Sequence, residues 1–245
     1  MIKKSIHFLL ALALYGLLIF FIAYSYPGKE NFDMTRLWPA GPEIFQSWLL
    51  TLYISLASLF FSMFTGFVLY LASVSKLPFF RYVGRIFDEI VFGSPLIVFI
   101  IAMYYFIAIP MGISNRLNVG ILAFSLYMAP YMKSVLLGAM ESIDANQYQA
   151  IQVLGFTKSQ AYRYIIIPQI LKVIFPPLIG NLTFIIKGSS LLSVIGVKEL
   201  YFQIDRIQAN LLLYVEGYLL MFVTYLLMTI PLVALSRWIE KKVSA

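Results

Sequence analysis

Residues 44–75 read IFQSWLLTLYISLASLFFSMFTGFVLYLASVS. The stretch carries no Asp, Glu, Lys or Arg and exceeds the about 20 apolar residues that an α-helix needs to cross a bilayer core. It decides the class of the fold. Upstream, an apolar run from Ser5 to Tyr26 follows Lys3 and Lys4. It outruns the about 7–15 apolar residues of a signal peptide and reads as a retained helix. A polar linker, 27–42, separates the two runs. Downstream, Pro78 marks a turn among Lys76, Arg81 and Arg85, and apolar runs follow at Ile86 to Ile109, Leu117 to Met140, Pro168 to Val197 and Leu211 to Leu235. The expectation is an all-α membrane protein with about six transmembrane helices.

Composition agrees. Hydrophobic residues make up 61% of the chain and charged residues 12%, against about half and about a quarter in soluble domains. The net charge of +7 does not form a stripe for a nucleic acid, because the basic residues sit at the ends of apolar runs. No cysteine is present, which excludes disulfides, thiolate metal sites and cysteine nucleophiles. The single histidine, His7, has no ligand partners nearby in sequence, so neither a metal site nor a serine–histidine triad is expected.

The same basic residues set an orientation. Six helices with a cytoplasmic N-terminus place Lys3, Lys4, Lys76, Arg81, Arg85, Lys158, Arg163, Arg237, Lys241 and Lys242 inside. The outside receives Lys29, Arg36, Arg116, Lys198 and Arg206, mostly beside acids. The excess of inner over outer basic residues follows the positive-inside rule, so both termini are expected in the cytoplasm.

The polar segment between the fourth and fifth runs has its own local code. Asp144 and Gln147 stand at the spacing of a capping box, with Ile143 and Tyr148 at the staple positions. Gly155 is placed to end that helix in the left-handed conformation. Thr157 and Gln160 form a second box, whose helix is expected to stop at Pro168. Two short helices joined at a glycine corner are predicted, on the cytoplasmic side between two spans. An ordered lever there suits a protein moved by a partner, although any loop of this length could fold as a capped hairpin.

The run Asn146-Gln147-Tyr148-Gln149-Ala150-Ile151-Gln152-Val153-Leu154-Gly155, followed by Ile166-Ile167-Pro168-Gln169, resembles the EAA loop of ATP-binding-cassette (ABC) importer permeases of the polar amino acid type. Further matches occur in order from about Trp48 to Glu240: Thr51-Leu52, Gly93-Ser94-Pro95-Leu96, Pro176-Pro177-Leu178 to Asn181, Lys187-Gly188-Ser189-Ser190-Leu191 and Ile195-Gly196-Val197-Lys198-Glu199-Leu200. The resemblance implies a type I ABC importer transmembrane domain, 44–240, with a five-helix core and a coupling loop at 142–168. Residues 1–43 would then be an added N-terminal helix and external linker. It also implies that Asn146, Gln147, Gln149, Ala150, Leu154 and Gly155 couple to an ATPase. Departures stand at Gln149, where the loop's usual glutamate is absent, and at Ile151, where its second alanine is absent. Phe92, Ser134 and Leu137 occupy positions where relatives often carry charge.

Ionisable groups at bilayer depth cost about 2.5–3.5 kcal/mol, so each needs an account. Asp88 and Glu89 read as interfacial acids paired with Arg81 or Arg85, or as substrate contacts. Lys133 can pair with a carboxylate, snorkel inward or line the pathway. Lys187 lies in a predicted helix break, Lys187-Gly188-Ser189-Ser190, as pathway lining or structural pairing. Ser94, Lys133, Ser134, Lys187 and Ser189 are the candidate pathway residues.

The function these readings imply is the permease subunit of an ATP-driven importer, for amino acids by resemblance. The chain lacks a Gly-x-x-x-x-Gly-Lys-Ser/Thr loop, so it is expected to hold no cofactor and to leave ATP to a partner. Expected partners are a cytoplasmic ABC ATPase dimer, a second permease subunit (identical or related), an extracytoplasmic solute-binding protein and the lipid bilayer, with no nucleic acid. The expected location is the bacterial cytoplasmic (inner) membrane. An ion-gradient-driven transporter or channel is the alternative, and an enzyme is disfavoured. The topology is testable: a cysteine at Asp33 should react with an impermeant reagent in intact cells and one at Ser159 should not, the reverse pattern refuting the six-helix arrangement.

Overall fold

A computed structural model describes residues 32–243 and, ahead of them, positions 13, 14, 17 and 21. The expected helix at Ser5 to Tyr26 and His7 therefore fall essentially outside the described residues. Among those described, every regular element is helical. A 3-10 turn, Met34–Ala40, leads into α1, Gly41–Ser73. Then come α2, Pro78–Gly93, and α3, Leu96–Ala102, the latter prolonged by a π-helical turn, Met103–Ala108. α4 is Arg116–Glu141. The polar segment supplies α5, Ala145–Val153, and α6, Lys158–Ala161. α7, Ile167–Gly188, passes into a 3-10 segment, Ser189–Ile195. α8, Leu200–Leu211, and α9, Tyr214–Val243, complete the chain.

Among the described residues, four stretches are long and apolar enough to span a membrane: Met34–Ser73, Arg116–Glu141, Lys158–Ile195 and Tyr214–Lys242. The bent pair Pro78–Gly93 and Leu96–Ala108 can form a fifth.

The bundle is organised about the contact of α1 with α4, the most extensive in the molecule. α1 turns its small residues inward: Ser47, Thr51, Ser55, Ser58, Ser62 and Gly66 are all buried, at steps of three or four residues. Its large residues, among them Phe60, Phe61, Phe64 and Phe67, face outward. That is the reverse of a soluble helix. In lipid no hydrophobic force separates Phe from its surroundings, so helices gain by close backbone approach, which small residues permit. Three of the serine hydroxyls bond within their own helix, Ser47 to the Ile44 carbonyl at 2.8 Å, Ser55 to the Thr51 carbonyl at 2.8 Å and Ser62 to the Leu59 carbonyl at 2.7 Å, while Ser58 Oγ is buried without a partner. Thr65 Oγ1 donates across the seam to the Ser125 carbonyl at 3.2 Å, and Ser125 Oγ donates back to the Ser58 carbonyl at 3.4 Å. At Gly66 a Cβ would collide with the Met132 Cβ and stand 2.9 Å from the Ala129 carbonyl oxygen.

Two expectations about element boundaries are corrected. The run from Ile86 to Ile109 is not one helix, because the chain bends by 116° between α2 and α3. Pro95 disfavours helical geometry at Ser94, which is extended at φ −108°, ψ 135°. The helix must therefore end at Gly93. Conversely, Pro168 does not stop the helix that begins at Lys158. A π-helical turn, Tyr162–Ile166, intervenes, and Pro168 falls in the first turn of α7, where a missing N–H costs little. The second hairpin arm is thus the end of a long apolar stretch, Lys158–Ile195, rather than a separate helix.

The seam predicts its own sensitivity. Gly66→Val should lower the thermal midpoint of the detergent-solubilised protein, in line with the about 1–3 kcal/mol typical of overpacking. Gly138→Ala, where a Cβ meets nothing within 4 Å, should melt with the unaltered chain. Equal midpoints for both variants would show that the seam is not tight at Gly66.

Candidate translocation face and coupling hairpin

The hairpin is held by its own small core. Ile143, Ile151, Ala161 and Ile166 are buried together, with Tyr148, Ile165 and Ile170 packed against them. Asp144 caps α5 by accepting from the Asn146 N–H at 2.8 Å. The reciprocal bond from Gln147 expected of a full capping box is not formed among the described contacts. Thr157 and Gln160 do form one: Gln160 Oε1 accepts from the Thr157 N–H at 3.0 Å, and Thr157 Oγ1 accepts from the Gln160 N–H at 3.4 Å. Gly155 makes the corner at φ +72° with nothing within 4 Å of a Cβ placed there.

With the core filled from one side, the other side of α5 is left open. Asn146, Gln149 and Ala150 are exposed and Gln147 is half-buried. Val153 and Leu154 are 86% and 71% exposed. These candidate coupling residues lie on one helix and its C-terminal corner, where two large apolar side chains stand beside small and polar ones. This end of the bundle also carries the turn after α1 and the C-terminal part of α9.

Within the spans, Lys133 on α4 donates to Asp88 Oδ2 on α2, with both side chains 13% exposed. Asp88 therefore bonds across to α4 rather than to Arg81 or Arg85. Its Oδ1 is buried without a partner. Glu89 takes the expected role, meeting Arg85 at 3.2 Å on the exposed side of α2. Above the pair runs an aromatic ladder. Phe92 meets Tyr131 edge-on at 5.2 Å, Tyr131 stacks with Tyr127 at 6.1 Å and with Phe184 of α7 at 6.4 Å, and Tyr127 meets Phe99 at 5.5 Å. The Tyr127 hydroxyl donates to the Ser94 carbonyl at 3.2 Å, so the bend that frees this carbonyl also finds it a donor.

The other candidate pathway residues are dispersed. Ser94 is half-buried at the bend and Ser134 is exposed on α4, its hydroxyl bonded to the Pro130 carbonyl at 2.9 Å. Lys187 is exposed beside a cleft of about 370 Å³. Ser189 is wholly buried, donating to the Ile186 carbonyl at 2.8 Å, and reaches no open face. Lys133 is likewise taken up in its ion pair.

The carboxylate of Glu199, a residue not among the candidate site residues, is buried. It caps α8, accepting from the Tyr201 and Phe202 N–H groups at 2.8 and 2.9 Å and from the Tyr225 hydroxyl at 3.2 Å. Thr51 of α1 accepts from the Leu200 N–H at 3.1 Å. The available signal was positional: an acid directly before Leu200, at the cap of an amphipathic stretch. At the same end, Glu43 accepts from Gln203 and from Arg206, the latter at 2.7 Å, beside a cleft of about 680 Å³. No group of three or more His, Asp or Glu side chains among the described residues is placed to hold a metal.

The Lys133–Asp88 pair yields a measurable asymmetry. Breaking a buried pair on one side typically costs about 3–5 kcal/mol, whereas an apolar replacement of both partners can be neutral. Lys133→Met and Asp88→Leu should each lower the thermal midpoint in detergent, and the double variant should recover most of the loss. Additive losses would show that the two groups do not interact.

With this geometry in view, comparison with known proteins is informative. A family model described as "Binding-protein-dependent transport system inner membrane component" matches residues 64–245. The probable amino-acid permease protein YxeN of Bacillus subtilis (strain 168) is 29% identical over 220 residues, which cover 88% of this chain and 97% of the relative. The glutamine transport system permease protein GlnP of Escherichia coli (strain K12) is 28% identical over 216 residues, 86% of this chain and 98% of its own length. A crystal structure of an amino acid ABC transporter with histidines superposes at a TM-score of 0.77, with 26% identity, covering 86% of this chain and 98% of the other. The MetNI methionine ABC transporter, at 20% identity and a TM-score of 0.62, shares the fold. The all-α class and the type I ABC importer arrangement hold, and the chain belongs to the family of inner-membrane components of binding-protein-dependent transport systems.

Proposed function

We propose that this chain is the transmembrane permease subunit of an ATP-driven importer of amino acids, forming part of the translocation pathway and coupling it to a separate ATPase. The observation that carries the reading is the family match over 64–245, which runs from the end of α1 through the later spans and includes the hairpin with its open apolar edge. The names of the relatives supply the amino-acid class. The ion-driven alternative loses ground, because the buried carboxylates among the described residues are already engaged: Asp88 by Lys133, Glu199 by the α8 cap, and Glu216 by the Asp33 N–H at 2.9 Å.

The partners follow from that role. A pair of cytoplasmic ABC ATPases binds ATP and receives the α5 edge formed by Asn146, Gln147, Gln149, Ala150 and Leu154. A second permease, identical or related, closes the pathway, and an extracytoplasmic solute-binding protein delivers cargo. Both termini lie in the cytoplasm of a bacterial cell, and the chain itself needs no cofactor. Ser94, Ser134 and Lys187 contribute to the pathway, while Lys133 and Ser189 act from behind it.

The structure offers a route for the coupling. The second arm of the hairpin runs through the π-helical turn into α7 without a break, giving one stretch from Lys158 to Ile195. A push on α5 therefore reaches Phe184 and Lys187 through a continuous helix. α7 in turn packs on α9, α1 and α4. Gly155 sets the angle between the arms, and a side chain in its left-handed conformation costs about 1–2 kcal/mol.

Gly155→Val, and to a lesser degree Ala150→Arg, should leave the chain inserted and folded while abolishing amino-acid uptake. The ATPase should either detach or hydrolyse ATP regardless of cargo. Uptake is to be measured beside ATPase co-purification at matched membrane abundance. Unimpaired uptake by Gly155→Val would remove the hairpin from the mechanism.

A further inference from the structure

Two clefts open side by side where α7 gives way to its 3-10 segment. The first, about 370 Å³, is bordered by Lys187, Ser190, Tyr201, Tyr218 and Phe222. The second, about 560 Å³, is bordered by Ile97, Ser190, Val194, Tyr201 and Asp205. Ser190 and Tyr201 border both, so the clefts adjoin along one surface groove, with an ammonium at one cleft and a carboxylate at the other.

Lys187 is the unusual member. Three ion pairs occur among the described residues, Arg85–Glu89, Lys133–Asp88 and Arg206–Glu43, and Lys187 is in none of them. Its depth is fixed by the next residue: a Cβ on Gly188 would lie 3.1 Å from Phe124 of α4 and 3.3 Å from Leu96, well inside the bundle's length. An unpaired ammonium at such depth is not tolerated against hydrocarbon and marks a surface that meets water or an anion. The nearest buried carboxylate, Glu199, is fully committed to the α8 cap and to Tyr225. Asp205 has one oxygen accepting from Gln208 Nε2 at 3.0 Å and is half-buried at the groove. The remaining lining is apolar or aromatic apart from Ser190 and Ser193, and the Tyr201 and Tyr218 hydroxyls make no hydrogen bond among the described residues.

Resting on the permease reading above, we infer that this groove receives a zwitterionic amino acid with an uncharged side chain, its carboxylate at Lys187 and its ammonium at Asp205. The backbone charges of the cargo match the two charges of the groove one to one. Phe222, Ile97 and Val194 then receive an apolar or aromatic side chain. A glutamate or arginine cargo would bring a further full charge into a lining whose other polar groups are uncharged hydroxyls, and leaving it without a counter-charge is disfavoured at this depth.

The test uses the whole complex that co-purifies with the tagged chain, reconstituted in proteoliposomes with internal ATP and supplied with the binding protein. Uptake of labelled leucine, phenylalanine, glutamine, glutamate and arginine is compared for the unaltered chain, Lys187→Gln, Lys187→Arg, Asp205→Asn and Asp205→Glu. The expected result is uptake of one or more of the three neutral amino acids, reduced at least tenfold by Lys187→Gln and by Asp205→Asn and partly restored by Lys187→Arg and Asp205→Glu. Matched recovery of ATPase with each variant shows that assembly is intact; should Lys187→Gln fail to assemble, the Asp205 pair decides. Uptake that prefers glutamate or arginine, or that both neutralising variants leave intact, overturns the inference while the permease reading stands. A Lys187→Gln complex that loses only bound phospholipid, with uptake unchanged, assigns the lysine to a headgroup and also overturns it. Absence of ATP-driven uptake of any amino acid by the unaltered complex would instead sink the permease reading.

Discussion

Close approach of α1 and α4 is the constraint on which the rest of the molecule depends. Lipid withdraws the force that assembles soluble cores, so the large apolar residues of α1 gain nothing by turning inward. What remains is contact between backbones, and the buried series from Ser47 to Gly66 provides it along the length of the helix. The serine hydroxyls do not hold the helices together as a zipper. Most bond to carbonyls in their own helix, which lets those polar residues sit at a dry seam with their donors met, Ser58 being the exception. Two bonds, from Thr65 and Ser125, then cross it. Because α4 is fixed by this seam, so are the aromatic residues and Lys133 that it carries toward α2 and α7.

The helical interruptions are placed on that frame. The bend at Ser94, the π-helical turn before α7 and the 3-10 segment after it all loosen the backbone. Membrane interiors allow such departures where protein supplies the missing partners. Tyr127 donates to the Ser94 carbonyl, and Gln169 Nε2 donates to the Ile165 carbonyl at 2.9 Å beside Pro168. α7 is α-helical from Ile167 to Gly188, and the departures from α-helical geometry lie at its two ends.

Charge is distributed by the same economy. Lys133 and Asp88 cancel each other between α2 and α4, and Glu43 and Arg206 join the opposite end of α1 to α8. Glu199 is absorbed by backbone donors. Each buried charge is thereby assigned to holding helices in place, leaving Lys187 and Asp205 facing an open groove.

The class, the approximate spans and the hairpin were legible in sequence because they depend on local facts: run length against bilayer thickness, charge at run ends, and caps at Asp144, Gly155 and Thr157. Glycine at 155 and the Thr157–Gln160 box could be read directly, since each concerns residues within a single turn. Other features could not. Pro95 and Pro168 look alike in sequence, yet one ends a helix and the other opens one, because a π-helical turn precedes only the second. Lys133 had three open readings until α2 was seen to bring Asp88 beside it, 45 residues away in the chain. Glu199 looked like a loop acid until Tyr225 and the seat of α8 against Thr51 enclosed it. Sequence by itself determined which segments enter the membrane, since transfer into lipid depends on each segment's own side chains. Only the tertiary structure decided which charges are spent on packing and which remain free, since that depends on partners distant in the chain.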